Sequence, residues 1–361
     1  MHLLAAITPH GFGHGAQTAP VLNALRQRHP DLRLTLLTSL PAEFLRARMQ
    51  GDFELIDEAP DFGLVMKSAF AIDLPASAAA YRQLHHDWNS VVDREAQRLR
   101  HLSPDIVLAD VPYLVLAAAE RAGIPAVAMC SLNWADVYRH YFPEGAEAAQ
   151  VLEQMEQAYR SAAAFLCPEP SMPMPFIDRR VDIGPIARVG SSQPEQLRRR
   201  LGIESDQRLV LVAPGGVKAR FPMEDWPTGQ GIHWLVNADW GVRHADVSAL
   251  EQSGFGFADL VASCDAVLGK CGYGTVAECV ANGTPLMYVP RPHWPEEGAL
   301  LDWLQAHDAA LPVDSWRLET GEFSDLLQPL KSLTVRRRDP DGASQAAHWI
   351  SRQLLDRGRT V

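Results

Sequence analysis

Two glycine-rich turns stand where chemistry could be done. HGFGHGAQ, residues 10–17, follows the apolar run HLLAAIT, and glycines at 11, 13 and 15 make a tight turn into a helix. A lone G-x-G is a weak dinucleotide signal. Ala16 breaks the longer G-x-G-x-x-G, and the next apolar run, LRLTLLTS, ends in Thr38 and Ser39 rather than an acid, so a nicotinamide reading loses support. The second turn lies in LGKCGYGTVAECVANGTPLMYVPRPHWPEEGALL, residues 268–301, where a strand ends and a helix begins near Gly274 and Thr275. Free N–H groups and the helix dipole at such a start bind phosphate, and Gly272 and Gly274 allow close approach to the backbone. Thr275 with Glu278 three residues on also reads as a capping box, and both readings stay open. Gly215 and Gly216 alone would be an ordinary turn. Glu296 and Glu297 alone would be a solvated acidic pair at a helix start, where the dipole favours negative charge.

The elements around these residues alternate between apolar runs and helical patterns. HLLAAIT, a helix from about Thr18 to Arg28, LRLTLLTS, a helix over Ala42 to Met49 and FELID form βα units of a parallel sheet. Residues 60–76 follow neither period and read as a long loop, a kind of segment that is usually functional or mobile. A helical pattern covers about Ala78 to Leu102, DIVLAD is a buried strand ending at Asp110, and a helix over Leu114 to Ala122 leads to PAVAMC. Prolines in CPEPSMPMPF mark a join with its hinge near 184–194. A second series follows in RLVLVAPGG, GIHWLVNA, AVLGK and PLMYVP. The predicted domains are residues 1–188 and 189–343, with a final helix in 344–361 returning to the first. Ligands are expected at the carboxyl ends of the two sheets, facing one cleft.

With 361 residues, two cores of ordinary size are expected. An apolar fraction of 47% without any run near the ~20 residues of a membrane span makes this a water-exposed globular chain. The opening MHLLAAITPHGFGHG lacks a basic start and a long apolar stretch, so it reads as a core strand rather than a signal peptide. Cys130, Cys167, Cys264, Cys271 and Cys279 are odd in number and form no C-x-x-C, which argues against disulfides and structural zinc and for the cytoplasm. A net charge of −11 disfavours nucleic acid. The runs Arg198–Arg200 and Arg336–Arg338 read as solvated helix faces, leaving only a weak peripheral membrane contact to consider.

The run SCDAVLGKCGYGTVAECVANGTPLMYVPR resembles the donor-nucleotide segment of glycosyltransferase-B enzymes, most closely the glycosyltransferase-like amino-terminal domain of L-arabinokinases. PHGFGHGAQ, ADVPYLVLAAAERAGIPAVAMCSLNWADVYRHY and LVAPGGVK extend the likeness, in order, over most of residues 1–305. The kinase half has no counterpart in these residues, so the glycosyltransferase-like part is expected to act on its own. The resemblance implies a fold of two Rossmann-like parallel-sheet domains. It implies that Gly274 and Thr275 hold a donor diphosphate, that Glu278 accepts hydrogen bonds from ribose, and that Gly215, Gly216 and Val217 border diphosphate or sugar. Phe257 would hold the base, commonly uridine, and Glu296 and Glu297 would read the sugar hydroxyls, where many relatives have an acid followed by glutamine. His14 takes the place of an acceptor-facing general base, a task suited to a group with a pKa of about 6.5.

Such a base needs a carboxylate to fix its tautomer. Asp110, at the end of DIVLAD, is the candidate, although it could equally cap the next turn. Gly13, Gln17 and Asn133, with His10, are further acceptor-side candidates. The expected reaction moves a sugar from a nucleoside-diphosphate donor to an acceptor with no resident cofactor and, lacking a D-x-D pair, no metal. A nucleotide-sugar 2-epimerase and a non-catalytic nucleotide-sugar binder are the alternatives.

Overall fold

The computed structural model describes all residues except 69–70, 204–205, 216–219 and 358–361. The chain divides into two compact units, Met1–Ile186 with Asp341–Val361, and Ala187–Pro340.

The first unit is built on a seven-stranded parallel sheet. Its strands are β1 (His2–Ile7), β2 (Arg33–Leu37), β3 (Glu54–Ile56), β6 (Ile106–Asp110), β7 (Ala126–Met129), β8 (Phe165–Pro168) and β9 (Arg180–Ile183), in the order β3-β2-β1-β6-β7-β8-β9. Every residue of β1 and β6 is buried, which is why both read as unbroken apolar runs: a central parallel strand is covered on both faces. The order reverses between β1 and β6, and the ends of strands beside such a reversal border a crevice. A small antiparallel pair, β4 (Met66–Ser68) and β5 (Ala71–Ile72), lies within the stretch predicted as loop.

Helix boundaries differ from the sequence reading. The first helix runs Phe12–Arg28, six residues earlier than Thr18, because only Gly11, at φ +92, makes the turn. Gly13 and Gly15 are helical, so His14 and Gln17 belong to the helix rather than to a loop before it. The pattern over 78–102 forms two helices, Leu74–His86 and Trp88–Leu102, broken at Asp87. The closing helix, Gly342–Arg357, packs on the first helix, where His29 Nε2 and Ser351 Oγ are 2.9 Å apart.

The second unit has a six-stranded parallel sheet of β10 (Arg208–Ala213), β11 (Ile232–Val236), β12 (Val247–Ala249), β13 (Ala266–Lys270), β14 (Leu286–Val289) and β15 (Ala310–Pro312). Its order, β12-β11-β10-β13-β14-β15, reverses between β10 and β13. One face packs on a cluster of Trp226, Trp234 and Phe323. Among the described residues no helix is long and apolar enough to cross a membrane.

Packing in the first unit also buries a titratable group. His85 Nδ1 lies 2.7 Å from Gln154 Oε1 and Nε2 lies 2.8 Å from Tyr113 Oη, with the ring stacked on Trp88. Burial pushes its pKa down to about 4, against the hydrogen bond it donates to Gln154, which raises it. The folded state therefore favours neutral histidine, and its contribution is complete above pH ~6.5 and lost as pH falls towards 4. Between pH 7 and 5 we expect wild type to lose about 2 kcal/mol more than His85→Phe in urea denaturation. Parallel losses in the two proteins would assign the acid sensitivity elsewhere.

Candidate functional site

At the reversal in the first sheet, β1 ends beside β6 and the first helix starts over the gap. His14, at the third position of that helix, places Nδ1 2.9 Å from Oδ1 of the fully buried Asp110 at the end of β6. The other oxygen, Oδ2, accepts from Thr18 Oγ1 at 2.5 Å, one helical turn beyond His14. A carboxylate only accepts, so the imidazole proton sits on Nδ1 and the basic lone pair falls on Nε2. Cys130 Sγ stands 3.7 Å from the same Nδ1. His14 is partly exposed, with its side chain 12% accessible, and a Cβ on Gly13 would meet nothing among the described residues, so the helix start is open to a ligand.

The backbone just after Asp110 is strained. Val111 is fully buried at φ +78, a region where a β-branched residue is an outlier. Tyr159 holds it there: its Oη donates to Val111 O at 2.8 Å and accepts from Trp134 N at 3.0 Å. Trp134 in turn leads to a group the sequence reading missed. Its indole N–H donates to Asp61 Oδ2 at 2.7 Å. Burial raises the Asp61 carboxyl to about 6, the Trp134 bond and His14 lower it, and Asp110 raises it further; Thr8 also lowers it, close by but outside hydrogen-bonding geometry. Gly63, at φ +61, lets the Asp61 loop close over Trp134, since a Cβ there would lie 2.5 Å from the ring and 3.2 Å from His10 Nδ1. Tyr81 Oη pins the loop through Gly63 O at 2.7 Å.

Two other acceptor-side candidates divide. Gln17 is 2% exposed, and its Oε1 has no hydrogen-bond partner among the described residues. Asn133 instead caps the helix Trp134–Tyr141: Oδ1 accepts from Asp136 N at 2.7 Å and Nδ2 donates to Asp136 Oδ2 at 2.7 Å. Both ends of the amide are thus engaged in starting the helix that carries Trp134.

In the second unit the helix Tyr273–Asn282 begins at the end of β13 with Gly272 as its N-cap and no side-chain cap. The capping box is thereby overturned: the helix starts before Thr275, which lies in its first turn, and Glu278 sits one turn further on, partly exposed. The amides of the first turn have no intrahelical acceptor, and no acid stands among them to occupy the dipole. A Cβ on Gly272 or Gly274 would meet nothing among the described residues. Lys270, the last residue of β13 and a residue sequence reading passed over, extends beside Gly215, where a Cβ would lie 2.8 Å from Lys270 Cε. Burial brings its pKa down to about 8, helped by Arg291 and opposed by Glu296.

Glu296 and Glu297 are 4% and 3% exposed, so they are not a solvated pair. They also differ from each other. Glu297 Oε2 accepts from Arg291 N at 2.6 Å, while the Arg291 guanidinium reaches Cys271 O, so Glu297 holds the turn that follows β14. Burial raises its pKa against the hydrogen bond from Arg291. Glu296 accepts from Trp294 Nε1 at 3.4 Å and acts electrostatically on Lys270. Phe257 opens the helix Phe257–Ser263 and is 40% exposed, which removes the core reading of that ring. Gly215 lies at φ +99 after β10, whereas Gly216 and Val217 fall outside the described residues.

No family model matches the chain. It is 25% identical over 364 residues to the L-arabinokinase of Arabidopsis thaliana, a match covering 99% of this chain and 35% of that protein. The chain thus spans about a third of that relative's length. An uncharacterized glycosyltransferase of Methanopyrus kandleri is 23% identical over 329 residues, covering 82% of this chain and 91% of that protein. Among solved structures, CalG4, the calicheamicin glycosyltransferase, matches with a TM-score of 0.64 at 18% identity, over 100% of this chain and 99% of that one. UGT89C1 of Arabidopsis thaliana, solved with UDP, matches with a TM-score of 0.53 at 16% identity, over 98% and 94% of the two chains. The two parallel-sheet units have the glycosyltransferase-B fold.

Proposed function

We propose that the protein is a glycosyltransferase that moves a sugar from a nucleoside diphosphate, with uridine as the base, to a hydroxyl acceptor. The observation that carries this reading is the His14–Asp110 pair at the sheet reversal, which leaves Nε2 as the basic nitrogen. The acceptor hydroxyl gives its proton to His14 Nε2 as its oxygen bonds to the anomeric carbon. The bond from that carbon to the diphosphate breaks, and the electron pair leaves with the nucleoside diphosphate. Asp110 stabilises the imidazolium so formed.

On the second unit, the first-turn amides of Gly274 and Thr275 and the ammonium of Lys270 would stabilise the charge that grows on the diphosphate. Glu278 would take the ribose hydroxyls, Phe257 would hold the base, and Gly215, with Gly216 and Val217, would border the diphosphate. Glu296 is the better candidate for reading the sugar, since Glu297 is engaged with Arg291. No step is assigned to a metal or a resident cofactor. The five cysteines are free and buried, which supports a reducing, cytoplasmic setting.

Glu278→Ala is expected to weaken UDP binding by about 1–3 kcal/mol, roughly 5- to 150-fold, with the fold intact. Calorimetry with UDP and with 2′-deoxy-UDP checks this. The deoxy ligand should lose little more in the variant, and fully additive losses would remove Glu278 from the ribose. Product analysis separates transfer from epimerisation of the donor.

A further inference from the structure

The helix start that carries His14 is bordered by more hydrogen-bonding oxygen than proton abstraction requires. Three buried side-chain oxygens of the first unit, Thr8 Oγ1, Gln17 Oε1 and Asp61 Oδ1, have no hydrogen-bond partner among the described residues. Thr8 follows β1 directly and its N–H donates to Asp110 O at 3.2 Å. Gln17 lies three residues beyond His14, a spacing that puts the two side chains on one side of the helix. Asp61 is fixed by Trp134 and feels the charges of both His14 and Asp110.

The amide oxygen of Gln17 and the carboxylate oxygen of Asp61 only accept and so call for donors, whereas the Thr8 hydroxyl, close enough to Asp61 to lower its pKa, can donate or accept; hydroxyl groups of a ligand meet both needs. Leaving such atoms buried without partners is unfavourable, and native structures rarely do so except where a ligand or water completes them. We propose that Asp61, Gln17 and Thr8 bind the non-reacting hydroxyls of a compact polyhydroxylated acceptor, a sugar or cyclic polyol, while His14 takes the proton of the reacting one. This rests on the glycosyltransferase reading and supplies its acceptor class. A flat phenol, whose hydroxyls all lie in the plane of its rings, would leave part of the set unpaired. Asp61 is then the residue that distinguishes these acceptors.

The test uses the full chain with saturating UDP, and titrates pentoses, hexoses and myo-inositol beside quercetin as the flat phenol and glucosamine as an amine. A polyol is expected to bind, and Asp61→Asn and Gln17→Ala should each weaken it tenfold or more while UDP affinity stays unchanged. Asp61→Asn should also raise the thermal midpoint at pH 8. The folded protein holds this carboxyl's pKa above the unfolded value, so ionisation destabilises the fold as pH rises from about 4 to about 6 and the penalty is complete at pH 8, and asparagine removes it. A carboxylate serving only to brace Trp134 would give the opposite sign. The inference is overturned by binding of quercetin or glucosamine alone, by no polyol binding, by unchanged polyol affinity in both variants, or by a lower midpoint for Asp61→Asn. Polyol binding without any affinity for UDP would instead sink the transferase reading and leave the polyol site standing.

Discussion

His14→Ala is expected to slow sugar transfer by about 100- to 10,000-fold, the usual effect of losing a general base, while changing UDP affinity less than twofold. The asymmetry follows from where the residues lie. His14 and its supports, Asp110 and Thr18, all belong to the first unit, whereas the uncapped helix start, Lys270 and Glu278 belong to the second. Asp110→Asn should slow transfer by less, because the imidazole keeps its place on the helix while its cation loses a compensating charge. Steady-state transfer and calorimetry on the same preparations provide the check. Full activity in His14→Ala would remove the base assignment, and equal losses in rate and UDP affinity would point to a disturbed fold.

Lys270→Met should lower kcat/KM for the donor by about 100-fold, the scale of one preorganised charge facing a developing anion. A pKa of about 8 adds a second signature. The free protein needs this ammonium charged, so kcat/KM should fall as pH rises through about 8. Lys270→Arg should move that decline upwards, since a guanidinium keeps its charge. A donor kcat/KM unaffected in Lys270→Met, or an alkaline limb that Lys270→Arg leaves in place, would show that the lysine serves only to support the loop at Gly215.

The strands were legible because central parallel strands are apolar on both faces, and HLLAAI and IVLAD are of this kind. That legibility reached His14 and Asp110, since both sit at strand or helix ends whose position a βα pattern fixes. It failed where a residue's surroundings come from distant chain. Asp61 lies in a stretch with no period, and the indole that holds it is 73 positions away. Lys270 carried no pattern beyond ending a strand. The differing fates of Glu296 and Glu297 depend on how the turn from Arg291 folds back, which spacing does not encode. The first helix was begun too late because three glycines in a row of alternate positions look like a turn, whereas only Gly11 adopts a turn conformation.

The hydroxyl of Tyr159 gives the first unit a shared joint. It bonds to Val111, the residue after Asp110, and to the backbone of Trp134, whose indole holds Asp61. Keeping a valine at positive φ costs on the order of 1–3 kcal/mol, and it persists only because its neighbours leave it no alternative. Removing that hydroxyl would loosen the backbone beside Asp110 and the residue that holds Asp61, so substitutions at Asp61 and Asp110 are expected to be energetically coupled although the two side chains belong to different segments. Selection acting on acceptor choice through Asp61 would therefore also alter proton abstraction through Asp110. New acceptor preferences in this scaffold should arise more readily at Gln17, whose side chain does not share the joint.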